Sequence, residues 1–135
     1  MRLLIDGNVL LDVLQKREPH YKASALVWKY CEAGQAEGFV SAVTFANLVY
    51  VMRRELTPEI IEEILHRLSL IFTFADLTAG DIKNAAALHW KDYEDALQAV
   101  TAERLHARWL ITRNVKDFAA SGVMPLTPAE FLSRL

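Results

Sequence analysis

The residues best equipped to do chemistry in this sequence are carboxylates and carboxamides that recur just behind apolar runs. Asp6 and Asn8 follow Leu3-Leu4-Ile5. Ser41, Thr44 and, one helical turn on, Asn47 follow Phe39-Val40. Thr112, Asn114 and Asp117 follow Trp109-Leu110-Ile111, and Asp92 and Asp95 open the segment that leads into that run. Carboxylates gathered in one pocket repel and raise each other's pKa, which a bound cation relieves. Hard oxygen donors with water in the remaining positions suit Mg²⁺ or Mn²⁺. Two such ions about 3.5–4 Å apart can activate a water and stabilise the leaving oxygen in phosphodiester hydrolysis. Zinc is not expected, because His20, His66, His89 and His106 lack ligand spacing and there is no CxxC.

Each of these residues also has a plainer role open to it. Asp6 taken alone reads first as a helix N-cap. Asp92 and Asp95 can be an N-cap and its partner three residues on, favoured by the helix dipole. Asp117 can be a turn residue, and Asn47 a surface amide. Trp28, Trp90 and Trp109 lie in apolar patterns and read as core. Lys91, Arg104, Arg108, Arg113 and Lys116 can form a basic rim near the site or be solvated charges. The weight therefore lies in the set.

The elements that must position this set alternate in type. Leu3–Ile5 reads as a buried strand leading into a helix through Val9, Leu10, Val13 and Leu14, which Pro19 breaks. Pro19 can open a second helix, through Ala25 and Trp28, closed by Gly34. A strand over Glu37–Ser41 leads into a helix from Val43 to Glu55. Thr57-Pro58 opens another, with Ile61, Ile64, Leu65 and Leu68 on one face. A third strand is expected over Leu70–Phe74, and Thr78-x-x-Asp81 resembles a capping box. Asp92-x-x-Asp95 starts a helix running to about His106, followed by a strand over Trp109–Thr112. A short fifth strand over Val123–Leu126 and a final helix capped by Thr127 complete the series. This alternation predicts an α/β fold with a mostly parallel sheet of 4–5 strands, flanked by helices on both faces. Ligands of such sheets bind outside the carboxyl ends of the strands, where the polar residues stand.

Bulk properties set the limits. At 135 residues the chain fits one domain over 1–135, and 53% hydrophobic content suits a globular fold. The net charge of −2 and pI near 6.1 argue against nucleic-acid binding by bulk electrostatics. Binding of that kind would need a local basic patch or metal ions in an acidic pocket. No apolar run reaches the roughly 18 residues of a membrane span. Asp6 spoils a signal-peptide core, so a soluble cytoplasmic protein is expected. The single Cys31 reads as a packed, reduced thiol.

Four stretches together resemble the PIN-domain family, in particular prokaryotic toxin nucleases of the VapC type. They are Leu4-Ile5-Asp6-Gly7-Asn8-Val9-Leu10-Leu11-Asp12, Ser41-Ala42-Val43-Thr44-Phe45-Ala46-Asn47, Asp92-Tyr93-Glu94-Asp95-Ala96-Leu97-Gln98-Ala99, and Ile111-Thr112-Arg113-Asn114-Val115-Lys116-Asp117-Phe118. The closing Leu126-Thr127-Pro128-Ala129-Glu130-Phe131-Leu132 is similar to the family's usual ending. The resemblance implies a Mg²⁺- or Mn²⁺-dependent ribonuclease in which Asp6, Asp95 and Asp117 bind metal. It implies support from Asn8 and Asn114, an RNA substrate, a cognate antitoxin and a homodimer. Two positions depart from the pattern. Gly7 replaces the usual Thr, and Asn47 stands where many members carry Glu, so either metal affinity falls or a nearby acid such as Asp92 or Glu94 compensates. That departure keeps open a second reading, a PIN-like module that binds RNA or a protein without cleavage. A third, phosphoryl transfer through Asp6 as nucleophile, is weakened by Asn8, since such enzymes commonly place a second Asp there.

Overall fold

Leu3, Leu4 and Ile5 are apolar without alternation, the pattern of a strand covered on both faces. They lie in β1 (Arg2–Ile5), and none is more than 1% exposed. The computed structural model describes residues 1–135. Along the chain β1 is followed by α1 (Gly7–Leu14), α2 (Tyr21–Glu32), β2 (Glu37–Ser41), α3 (Ala42–Met52), α4 (Pro58–Ser69) and β3 (Thr73–Ala75). Then come α5 (Ala79–Ala87), α6 (Tyr93–Arg104), β4 (Trp109–Ile111), a 3-10 turn at Val115–Phe118, β5 (Met124–Leu126) and α7 (Pro128–Ser133). The strand order is β3-β2-β1-β4-β5, and every pairing is parallel.

Parallel neighbours require crossovers, and the helices that make them cover both faces. Leu3, Ile5 and Val40 pack with Val9, Val27, Leu48 and Phe131 on one side. Leu4, Phe39 and Leu110 pack with Ala99, Ala102 and Phe118 on the other. All three tryptophans pack against core phenylalanines edge-on: Trp28 on Phe72, Trp90 on Phe118 and Trp109 on Phe131. Cys31 is buried, and burial pushes its thiol pKa up to about 11.

Local signals set the helix starts. Thr57 accepts from the Ile60 N–H with Pro58 at the first helical position. Thr78/Asp81 and Thr127/Glu130 each form both halves of a capping box. Gly34 follows the α2 cap at φ 77°, the left-handed position that ends a helix. Gly38 on β2 permits a close approach, since a Cβ there would lie 2.9 Å from both Cys31 Sγ and Phe72 Cδ1.

Three boundaries differ from expectation by more than one residue or in kind. The third strand is Thr73–Ala75 rather than Leu70–Phe74. The end of α4 winds on instead: the Leu70 N–H bonds to Arg67 O and the Phe72 N–H to Leu68 O. Leu70 is consequently 74% exposed. Pro19 does not open α2, which begins at Tyr21, and α3 ends at Met52 rather than Glu55.

Candidate active site

The strand order places the sheet's reversal between β1 and β4, the switch point at which open α/β sheets form their ligand crevice. Asp6 and Thr112 are the residues that leave these two strands, and they touch. Asp6 Oδ2 accepts from Thr112 Oγ1 at 2.8 Å, while Asp6 Oδ1 accepts from Gln98 Nε2 at 2.8 Å. The Asp6 N–H donates to Ile111 O at 2.9 Å, and its side chain makes no cap bond to α1. The capping role open to Asp6 in the sequence is therefore not the one it takes. Behind it runs a buried polar chain: Thr44 Oγ1 donates to Gln98 Oε1 at 3.4 Å and lies 3.0 Å from Ser41 Oγ. One hydrogen-bonded series thus ties α3, α6, β1 and β4 to a single carboxylate.

The start of α6 brings the next acids. Asp92 Oδ1 accepts from the Asp95 N–H at 3.1 Å, the N-cap expected of it, and Glu94 and Asp95 occupy the first turn. The Asp95 pKa is raised to about 6, first by burial and then by the charges of Asp92, Asp6, Asp117 and Glu94. Asp117 arrives on the 3-10 turn, its N–H bonded to Asn114 O, and the fully buried Phe118 anchors that turn. Asn47, on the exposed side of α3, donates from Nδ2 to Glu94 Oε2 at 2.8 Å.

All the carboxylates and carboxamides singled out as site residues line one cavity of about 310 Å³: Asp6, Asn8, Asn47, Asp92, Asp95, Asn114 and Asp117. Glu94, Gln98 and Thr44 line it too, and no Lys, Arg or His does. Sequence reasoning gave no role to Gln98. Its signal was its place one turn after Asp95, which puts the two on the same helix face. Gly7, on the rim, is explained by packing: a Cβ there would stand 3.1 Å from the Thr44 methyl. A larger cleft of about 980 Å³ adjoins the cavity, sharing Asp92, Glu94, Asp95 and Asp117 and adding Lys91, Lys116, Trp90 and Tyr93.

The basic rim is smaller than the sequence implied. Arg104 donates to Asp81 at 2.9 and 3.0 Å, Arg108 stacks on Trp109, and Arg113 pairs with the buried Asp12 at 2.9 Å. Lys91 and Lys116 are the basic residues that face the cleft. The donor set fits a hard divalent cation, since five carboxylates surround one cavity with no protein cation to balance them. They are not drawn into a ready-made cage: no three acidic, His or Cys side chains are gathered closely enough to hold one ion.

A five-stranded parallel sheet with a cavity of five carboxylates at its switch point defines the class: an open α/β domain with an acidic site at the carboxyl ends of its strands. Within that class the chain belongs to the PIN domain family, whose family model matches residues 2–116. It is 26% identical to Ribonuclease VapC1 of Aquifex aeolicus (strain VF5), over 98% of this chain and 94% of that protein. Its fold is that of a chain in VapBC-1 from nontypeable Haemophilus influenzae (TM-score 0.73, 18% identity, covering 96% of this chain and 99% of that one). It is also that of VapC20 from Mycobacterium tuberculosis, a sarcin-ricin loop cleaving toxin (TM-score 0.70, 12% identity, covering 90% and 96%). No helix is long and apolar enough to cross a membrane.

Proposed function

We propose that this chain is a Mg²⁺- or Mn²⁺-dependent endoribonuclease and the toxin of a toxin–antitoxin pair. The observation that carries the reading is the cavity itself, five carboxylates without a basic side chain, in a PIN domain related to a ribonuclease. Asp6, Asp95 and Asp117 would hold the cation. Asp92, Asn8 and Asn114 would orient its water shell, and Asn47 would act with them through Glu94. Mg²⁺ usually keeps several waters, so these side chains need not converge as tightly as a zinc cage. The bound cation would supply a Lewis acid for a phosphoryl oxygen and a water of lowered pKa. The protein's own contribution is to fix Asp6 in one rotamer and to keep competing cations out of the cavity. The adjoining cleft suits single-stranded RNA, with Lys91 and Lys116 for phosphates and the Tyr93 ring, held by its hydroxyl on Ile82 O, beside them.

The implied partners are RNA, a cognate antitoxin and a second copy of the chain, in the cytoplasm, with 1–135 acting as one domain. Exposed Tyr50, Phe74, Leu77 and Ile82 supply apolar surface for protein contacts. The neutral Asn47 and the ungathered carboxylates favour one other reading, a PIN module that binds RNA or antitoxin without cutting. Asp6 as a covalent nucleophile is disfavoured by Asn8, which stands where such enzymes commonly place a second Asp. The deciding experiment is incubation of total RNA with purified, antitoxin-free protein in Mg²⁺, Mn²⁺ or EDTA, beside Asp6→Asn and Asp95→Asn. Metal-dependent cutting lost in both variants is the expected result. RNA or antitoxin binding that survives Asp95→Asn, with no cleavage in any metal, would establish the non-cutting module.

A further inference from the structure

The most deeply buried charge in the molecule lies outside the cavity. Asp12 on α1 is 0% exposed, and Arg113 reaches it from the segment after β4, with Nε 2.9 Å from Asp12 Oδ2. Ser24 of α2 donates to the same oxygen at 3.0 Å, while Asp12 Oδ1 and Arg113 Nε make no hydrogen bond, so the Arg113 contact is an ion pair by distance alone. Arg113 keeps 24% of its side chain exposed, and a half-buried pair of this kind is weak evidence for stability, because desolvation offsets the attraction. What it does here is join places. Arg113 stands between Thr112, which donates to Asp6, and Asn114, whose N–H donates back to Thr112 Oγ1 at 3.0 Å. Asp12 is one helical turn beyond Asn8 on the helix that starts at Gly7. The pair therefore bolts the segment that supplies Thr112, Asn114 and Asp117 onto the helix that supplies Asn8, with α2 holding the bolt from behind.

We infer that Arg113 is a positioning residue, which through buried Asp12 and Ser24 holds the Thr112–Asp117 segment in register with Asp6. This rests on the metal-dependent reading for its consequence in cation binding, but not for its structural content. It also moves Arg113 from RNA contact, the place its charge suggested, to the framework behind the site.

The test uses Asp12→Asn/Arg113→Gln, which removes both charges together and leaves no unpaired ion to unfold the chain. Ile61→Ala, in the core on α4, serves as a destabilised control. Two quantities are read well below each variant's melting temperature: hydrogen–deuterium exchange over residues 112–118, and Mn²⁺ affinity by calorimetry. Expected are faster exchange confined to that segment and about tenfold weaker Mn²⁺ binding in the double variant, the size of effect typical of groups that orient metal ligands. Both should be absent in Ile61→Ala. Exchange that stays at the wild-type rate in the double variant, or rises equally in the control, would overturn the inference. A wild-type protein that binds no Mn²⁺ would sink the metal-dependent reading, and the exchange result would still decide the role of Arg113.

Discussion

Asp95 is the residue on which the site's charge balance is most easily read. Its pKa of about 6 lies above the roughly 3.9 of an unfolded aspartate. Between those values the folded protein holds a proton that the unfolded chain has released. The contribution of Asp95 to stability is therefore greatest at low pH and is lost as pH rises towards about 6, with no further change above it. Metal-free protein should gain melting temperature as pH is lowered from about 7 to about 5, and Asp95→Asn should flatten that slope. Cation binding should respond in the opposite sense, weakening below about pH 6 as the carboxylate takes up a proton; Mn²⁺ titrations on either side of that value would show it. Glu94 belongs to the same balance. Glu94→Gln removes one of the charges that burden Asp95 while keeping an oxygen that can accept from the Asn47 amide. The expected outcome is a smaller Mn²⁺-induced rise in melting temperature with no loss of melting temperature in EDTA, measured by thermal shift.

At the scale of elements, Gly38 lets β2 pass close under Cys31 of α2 and against Phe72. Gly38→Ala would force a side chain into contacts of 2.9 Å and should cost about 1–3 kcal/mol in chemical denaturation. The apolar runs made the strands legible, and the Thr57, Thr78 and Thr127 signals made the helix starts legible, because both are local effects of period and capping. The third strand was misplaced because Leu70, Ile71 and Phe72 are as apolar as a strand. What decides their state is whether the preceding helix can close its last turns on them, and a β-propensity does not contain that. The site was legible as a set of polar residues behind strands. Its connections were not. That Asp6 is held by Gln98 and Thr112 rather than by its own helix, and that Asn47 meets Glu94, depends on the crossing of elements far apart in sequence. The same limit hid the true partners of Arg113 and Arg104, whose charges alone suggested solvent or RNA.

For the whole molecule, the two lysines of the cleft are the sequence-independent handle on RNA. Lys91→Gln and Lys116→Gln should each weaken binding to a single strand and reduce the slope of log affinity against log salt by about 0.7. Binding should be measured in calcium or with Asp95→Asn, so that cleavage does not intervene. The sheet order has a consequence for how the molecule is made. β1 is translated first yet lies in the middle, and Asp6 waits for Gln98, 92 residues on, and Thr112, 106 residues on. While the ribosome is still short of α6, the central strand has an open edge and the first carboxylate has neither donor. Nascent and prematurely released chains should therefore be inert. If the completed molecule harms the cell that makes it, the topology delays that harm until the chain is long enough for a partner waiting nearby to meet it whole.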